Sequence, residues 1–340
     1  MATITKLSEH VYGSVLTLGD VRILLDCGCD VDFSDAHLQA IAEVAPTIDL
    51  VLLSHGELRH CGALAAAKAR LGLRAPVYAT TPVIKNGTLC LYEAFGGLRA
   101  ARGRDGAKAF SLDDVDAAFG KVRPLKYDQP LSLRGKGSGI VITAQAAGHS
   151  VGGSFWKISL KADEIIYVAD PHHAAERHVP GTTLAAGDDD RRPAILYVDP
   201  GPAVASAPPR PVVEDRCADA ALEALRRGGN ALFPVETATR AVELLLVLDD
   251  AWRKRGLGGA YDLVFCHSMA RNVLDFARSQ LEFMSPETQK AFDGTSGARR
   301  GGHPLALREV RVAATVADVL RKRPDAPKCV VAARPELETG

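Results

Sequence analysis

The chain has no excess of charge of either sign: 41 Lys and Arg face 41 Asp and Glu in 340 residues, and the pI is near 7.1. A protein that grips nucleic acid on its own usually carries a basic excess, because neutralising phosphates supplies most of that affinity. Any contact with RNA is therefore expected through a local patch or inside a larger assembly. The seven cysteines form no Cys-x-x-Cys pair. An odd, scattered set reads as reduced intracellular thiols. Cys27 and Cys29, flanking Gly28, read as buried free thiols beside a strand end in preference to a metal site. The opening MATITKLSEH has no charged segment ahead of an apolar core, so no secretory signal is expected. No apolar run approaches the ~20 residues that cross a bilayer, and no membrane partner is expected. Internal repeats are absent as well. What is present, 47% hydrophobic and 24% charged residues, is typical of a globular protein. The length suits one large domain or two ordinary ones.

The first half alternates short β-branched runs with helical patterns. Residues 11–18 and 21–25 are predicted as strands paired around the Gly19-Asp20 turn. A continuous apolar run at 49–53 predicts a strand buried on both faces. Strands are also predicted at 76–79, 139–147, 153–160, 165–169 and 194–198. Helices are predicted at 38–45, 62–71, 81–95 and 112–119, the last opened by a capping box at Ser111. Residues 201–211 hold four Pro and little periodicity, and read as a linker. Beyond it, helices (218–227, 240–255, 270–283, 316–322) alternate with strands (230–235, 263–266, 329–333), the pattern of a parallel α/β unit. The chain stops straight after a buried-strand pattern, which reads as truncation.

Four stretches place a polar residue just after an apolar strand. The strand at 21–25 delivers Asp26, and that at 49–53 delivers Ser54-His55-Gly56-Glu57-Leu58-Arg59-His60. The strands at 139–147 and 165–169 deliver His149 and Asp170. Ligands on several strand ends are how an α/β scaffold builds a metal site, since rigid elements fix the geometry and loops leave room for substrate.

That order resembles the metallo-β-lactamase superfamily, and more closely its nucleic-acid-processing branch with an inserted β-CASP domain. The similarity extends through residues 23–28, 47–55, 135–142, 147–149 with Gly152-Gly153, 176–178, 229–238 and 240–248. The implied fold is α/β: a four-layered αββα metallo-β-lactamase domain at residues 1–205, followed by an incomplete β-CASP α/β domain at 206–340. In that family the loop reads His-x-His-x-Asp-His and, with a later His and Asp, holds two zinc ions that activate a bridging water. Here the resemblance keeps His55, His60, His149 and Asp170 at ligand positions. It puts Glu57 where the second His belongs and Arg59 where the Asp belongs. Asp26 matches a supporting position, and Asp199 matches the acidic motif that opens the β-CASP part.

A guanidinium is permanently charged and cannot ligate a metal. Two placements of Arg59 are open: it fills the vacated metal volume and pairs with Asp170 and Glu57, or it points to solvent. The resemblance implies a pseudoenzyme with no metal cofactor, a scaffold in the nuclear machinery that cleaves and polyadenylates pre-mRNA. Its expected partners are a catalytic endonuclease subunit, other 3′-end processing factors, and pre-mRNA within that complex. The alternative is an active zinc-dependent RNA hydrolase with a single-metal site using Glu57. A small-ester or thioester hydrolase is a third reading, disfavoured by the long second half. His172-His173 reads as a solvated pair, His178 as a structural contact, and His267 and His303 as non-functional. Residues 188–192 read as a solvated loop tip. The basic residues Arg299, Arg300, Arg308, Arg311, Arg321, Lys322 and Arg323 read as a solvated face in preference to an RNA or partner surface.

Overall fold

The structure is a computed structural model that describes residues 2–7, 13–103, 108–184, 192–199, 208–236, 239–293 and 303–333. The chain divides into two compact units. The first comprises Met1–Ala175 and Val179–Gly201; the second comprises Glu176–His178 and Pro202–Gly340.

Unit 1 is built on two sheets. The first has strands β1 (Ala2–Lys6), β2 (Ser14–Leu18), β3 (Val21–Leu25), β4 (Leu50–Leu52), β5 (Val77–Thr80) and β6 (Arg123–Leu125), in that spatial order. β1–β3 are antiparallel neighbours, whereas β3 to β6 run parallel. Parallel neighbours need crossovers, and these are α1 (Asp35–Val44), α2 (Leu58–Cys61), α3 (Leu64–Ala69), α4 (Thr81–Arg102) and α5 (Leu112–Phe119). The second sheet comprises β7 (Leu131–Ser132), β8 (Ile140–Ala146), β9 (Ser154–Leu160), β10 (Asp163–Ala169) and β11 (Ile195–Asp199) in the order β11-β10-β9-β8-β7.

Period-two alternation explains the layering. In β3, Leu24 faces the helices with Val51, Leu64 and Phe119, while Ile23 and Leu25 face the second sheet. There they meet Ile142, Trp156, Ile158 and Tyr167 in an inter-sheet core. The β8 burial pattern alternates strictly, and β4 is buried throughout, as a strand covered on both faces must be. Between β3 and β6 the chain leaves the sheet repeatedly at strand C-terminal ends, which brings Asp26 and the loop from Ser54 to His60 to one rim.

Unit 2 is a four-stranded parallel sheet in the order β12-β15-β13-β14, with β12 (Ala231–Val235), β13 (Asp262–Cys266), β14 (Val310–Ala313) and β15 (Lys328–Ala333). Its helices are α6 (Arg210–Arg226), α7 (Ala241–Arg255), α8 (Ala270–Arg278), α9 (Pro286–Phe292) and α10 (Val316–Arg321). The predicted helix at 270–283 ends at Arg278 and resumes as a 3-10 turn, Leu281–Phe283. α6 begins inside the predicted linker, at Arg210. The rest of that linker, 201–207, and most of the predicted loop tip at 188–191 lie outside the described residues.

Candidate functional site

Asp26 anchors the rim of unit 1. It follows β3, is fully buried, and its backbone N–H donates to Leu52 O at 2.9 Å. Its carboxylate accepts from Ser54 N and Ser54 Oγ, both at 2.6 Å, from Tyr167 OH at 2.8 Å and from His60 Nδ1 at 3.0 Å. A buried carboxylate with this many donors is satisfied as an ion.

His60, on α2, is fully buried between two carboxylates. Its Nδ1 meets Asp26, and its Nε2 lies 3.2 Å from Asp170 Oδ2. Burial favours the neutral ring, but the Asp26 charge and the hydrogen bonds to Asp170 and Asp26 outweigh it and lift the pKa to about 9. Both ring nitrogens are thus engaged by carboxylates, Nδ1 by Asp26 and Nε2 by Asp170.

His55 is the opposite case. Burial, with the neighbouring His60 and His149 rings, lowers its pKa to about 3 and keeps it neutral. Because the Ser54 hydroxyl already donates to Asp26, His55 Nδ1 donates to Ser54 Oγ at 3.0 Å. That leaves Nε2 as a buried acceptor with no partner among the described residues. Gly153 makes room for it: a Cβ there would stand 2.7 Å from Nε2.

Glu57 is buried, and its Oε1 accepts from His149 Nε2 at 2.7 Å. Burial would raise this carboxyl; the His149 hydrogen bond and the surrounding histidine charges override it and hold it at about 2. Arg59 pairs with Asp170 through Nη2, which also lies 3.9 Å from Glu57 Oε2. About a third of the Arg59 side chain remains exposed, against 6% for Asp170. Of the two placements open from the sequence, the guanidinium takes the one on the carboxylates. His55, Glu57, Arg59, His60, His149, Asp170 and Asp26 thus form one hydrogen-bonded and ring-packed cluster.

Asp199 stands apart. Its backbone O accepts from Asp170 N at 2.9 Å, but its carboxylate pairs with Lys6 Nζ at 3.3 Å. His172 is half-buried and His173 exposed; the rings stack at 5.8 Å, and His172 Nδ1 donates to Ala174 O. Packing on the loop's own backbone, not solvation, sets the first of them. His178 is buried, with Nδ1 on Glu243. Cys27 and Cys29 are buried thiols, and burial pushes the Cys27 pKa up to about 12.

Asp26, His149 and Asp170 all have positive φ, at 60°, 63° and 43°. Side-chain-bearing residues rarely occupy this left-handed region, and they cluster at functional sites when they do. Asp and His are among the types enriched there, but type alone does not say which of them adopts it. Tyr167 and Ser54 were also not legible as site residues; the signal for Tyr167 is that a buried phenol needs a polar partner for its hydroxyl.

Among the described residues, one group has ligand atoms close enough to share an ion: Glu57, His149 and Asp170, all within 4.8 Å of one another. His55 and His60 are not in it.

Comparison with known proteins agrees with this geometry. The chain is 39% identical over 328 residues to the probable cleavage and polyadenylation specificity factor subunit 2 of Drosophila melanogaster, covering 96% of this chain and 42% of that protein. It is 40% identical over 326 residues to cleavage and polyadenylation specificity factor subunit 2 of Oryza sativa subsp. japonica, with the same coverage. Subunit 3 of that factor from Dictyostelium discoideum is 25% identical over 278 residues, 80% of this chain and 34% of that protein. The chain thus spans about two fifths of the length of the two subunit 2 relatives. The metallo-beta-lactamase superfamily domain matches residues 15–196, more than half of the chain and nearly all of unit 1. With two stacked sheets, ligand-type residues on strand ends and that match, the chain belongs to the metallo-β-lactamase superfamily.

Proposed function

We propose that this chain is the metallo-β-lactamase part, with a partial β-CASP domain, of a non-catalytic scaffold subunit in the nuclear machinery that cleaves and polyadenylates pre-mRNA. The names of its relatives support the process, and its likeness to a protein named subunit 3 of the same factor supports a homologous subunit within it. The observation that carries the non-catalytic reading is the Arg59 guanidinium on Asp170. A fixed positive charge on that carboxylate opposes two divalent cations by Coulomb repulsion where the family needs attraction. His60 adds to this, since both of its ring nitrogens are taken up by Asp26 and Asp170. The donor set therefore does not fit a two-zinc centre. Arg59 and His60 balance by ion pairing the carboxylates that metal would otherwise neutralise.

The test is metal content by elemental analysis of protein prepared without added zinc, beside an Arg59→Asp, Glu57→His double variant. Near-zero metal in the unaltered protein and uptake by the variant is the expected result. Stoichiometric zinc in the unaltered protein overturns the reading.

A second reading is favoured by one observation, the closeness of Glu57, His149 and Asp170. A single ion held there, with the open His55 nitrogen beside it, would make the chain a zinc-dependent RNA hydrolase. One equivalent of zinc, together with RNA cleavage that Glu57→Gln removes, is the result that would establish it.

A further inference from the structure

A chain with no net charge that meets RNA must do so through a local patch. The basic run in the last third does not supply one. Arg311 donates to Asp318 O and Val319 O, and Arg323 to Gly259 O and Ala260 O, so both guanidinia serve the chain's own carbonyls. Arg321 pairs with Asp318 at 2.6 Å. Arg299 and Arg300 lie outside the described residues.

Unit 1 has a better candidate at the end of the first sheet opposite the ion-paired cluster. There the N-terminal ends of β3 to β6 and the turn after β7 enclose a cavity of about 510 Å³. Three cations line it, Arg123, Arg134 and Lys136, against one carboxylate, Asp49. Two of them are fixed in place. Arg123 donates to Tyr78 OH at 3.0 Å, with its guanidinium 5.6 Å from the centre of that ring. Lys136 Nζ bridges both Asp49 oxygens at 2.8 and 3.1 Å. The Arg134 guanidinium has no ion-pair or hydrogen-bond partner among the described residues. After Asp49 is neutralised, two positive charges remain. Leu50, Leu131 and Leu133 add apolar lining, and Ser132 also lines the cavity.

The geometry points to a phosphodiester-binding pocket at this place, used by a single strand of RNA. Arginine presents a planar fork that suits phosphate oxygens, and hydroxyls commonly add a contact to them. The apolar lining suits a sugar or base beside the phosphate, as in grooves that take single strands. An acidic peptide is less well matched, since only the cations would then find partners and the apolar lining would stay uncovered. The pocket lies away from Asp170, so it does not depend on whether the ion-paired cluster is silent or holds a metal.

The experiment is fluorescence anisotropy on the full chain with a labelled single-stranded RNA of roughly 12 nucleotides, a length in the range that single-strand grooves cover. Arg134→Ala with Lys136→Ala is expected to raise Kd roughly tenfold or more, because the Arg134 contact is lost and the Asp49 carboxylate is left unneutralised beside the phosphate. It should also reduce the slope of log Kd against log salt by about 0.7 for the lost Arg134 contact on a single strand, and further for the uncovered Asp49 charge. Arg134→Gln alone removes a group that holds nothing in the fold, so it keeps the test valid if the double variant unfolds; it should shift Kd in the same direction. Arg321→Ala with Lys322→Ala should leave Kd unchanged. The proposal is overturned if the unaltered chain does not bind RNA, or if the pocket variants bind as well as it does. It is overturned also if affinity falls only in the Arg321 and Lys322 variant. Tighter binding of a polyglutamate peptide than of RNA, lost in the pocket variants, would reassign the pocket to an acidic protein segment.

Discussion

Four donors converge on the Asp26 carboxylate, and one of them crosses from the opposite sheet: Tyr167 OH, at 2.8 Å. Replacing Tyr167 with Phe keeps the ring in the inter-sheet core and removes only that bond. Removing one donor from a buried charged acceptor costs about 1–2 kcal/mol, so Tyr167→Phe should lower the urea midpoint without changing the m-value. An unchanged midpoint would mean that the phenol holds nothing together and would take Tyr167 out of the network. At this scale the sequence was partly readable. His55, Glu57, Arg59, His60, His149 and Asp170 could be picked out because each follows an apolar run, and strand ends deliver polar residues to one rim. Tyr167 could not, because its partner is 141 positions away on another sheet. Neither could the left-handed backbone of Asp26, His149 and Asp170, which these residue types do not require. Arg59 was readable as a non-ligand from its chemistry, while its position depended on packing.

Helix α4 shows how an element can obey packing against its own propensity. It carries Gly87 in its interior, where Ala would favour the helix by about 1 kcal/mol. A Cβ at Gly87 would lie 2.6 Å from Phe119 Cε1 and 3.0 Å from Cys61 Sγ, two groups that are themselves buried in the core. Overpacking of this kind costs about 1–3 kcal/mol, so the clash outweighs the propensity. Gly87→Ala should therefore lower the thermal midpoint; a raised midpoint would show that α4 and α5 separate freely. Strongly patterned elements are legible: β8 by alternation, β10 by its apolar run, α5 by its capping box, in which Ser111 Oγ accepts from Asp114 N and Asp114 accepts from Ser111 N. The missed ones lack those signals. β1 is an edge strand with no buried residue, and β6 carries Pro124, which an edge strand tolerates because its free side needs no donor. The helix predicted at 218–227 begins late because the prolines ahead of it look like a linker. Pro211, however, lies in the first turn of α6, where its missing N–H has no intrahelical bond to lose.

Charge neutrality across the whole chain does not mean that charges are dispersed. In unit 2, Glu176 pairs with Arg240, Arg177 with Glu214 and Asp250, and His178 with Glu243. That tripeptide lies in sequence between segments of unit 1, and a chain read linearly gives no sign of which unit it joins. Glu243 is the centre: it also accepts from the Arg177 and His178 backbone N–H groups and from Arg210. Burial opposes its charge, but the His178 bond and the neighbouring donors override that and hold the carboxyl at about 2, below its ordinary 4.5. A depressed folded-state pKa means that the unfolded chain takes up the proton first as pH falls. The stabilisation is then complete above about pH 5 and is lost progressively down to about pH 2, by about 3 kcal/mol in all. Each unit holds one buried tryptophan, Trp156 in unit 1 and Trp252 in unit 2, so a Trp156→Phe background reports on unit 2 alone. In that background the urea midpoint of the Trp252 signal should fall steeply between pH 5 and 3. Glu243→Gln, which cannot titrate, should start lower at neutral pH and fall less over the same interval. Parallel acid slopes in the two proteins would place the acid sensitivity of unit 2 on other carboxylates and remove Glu243 from the centre of this network.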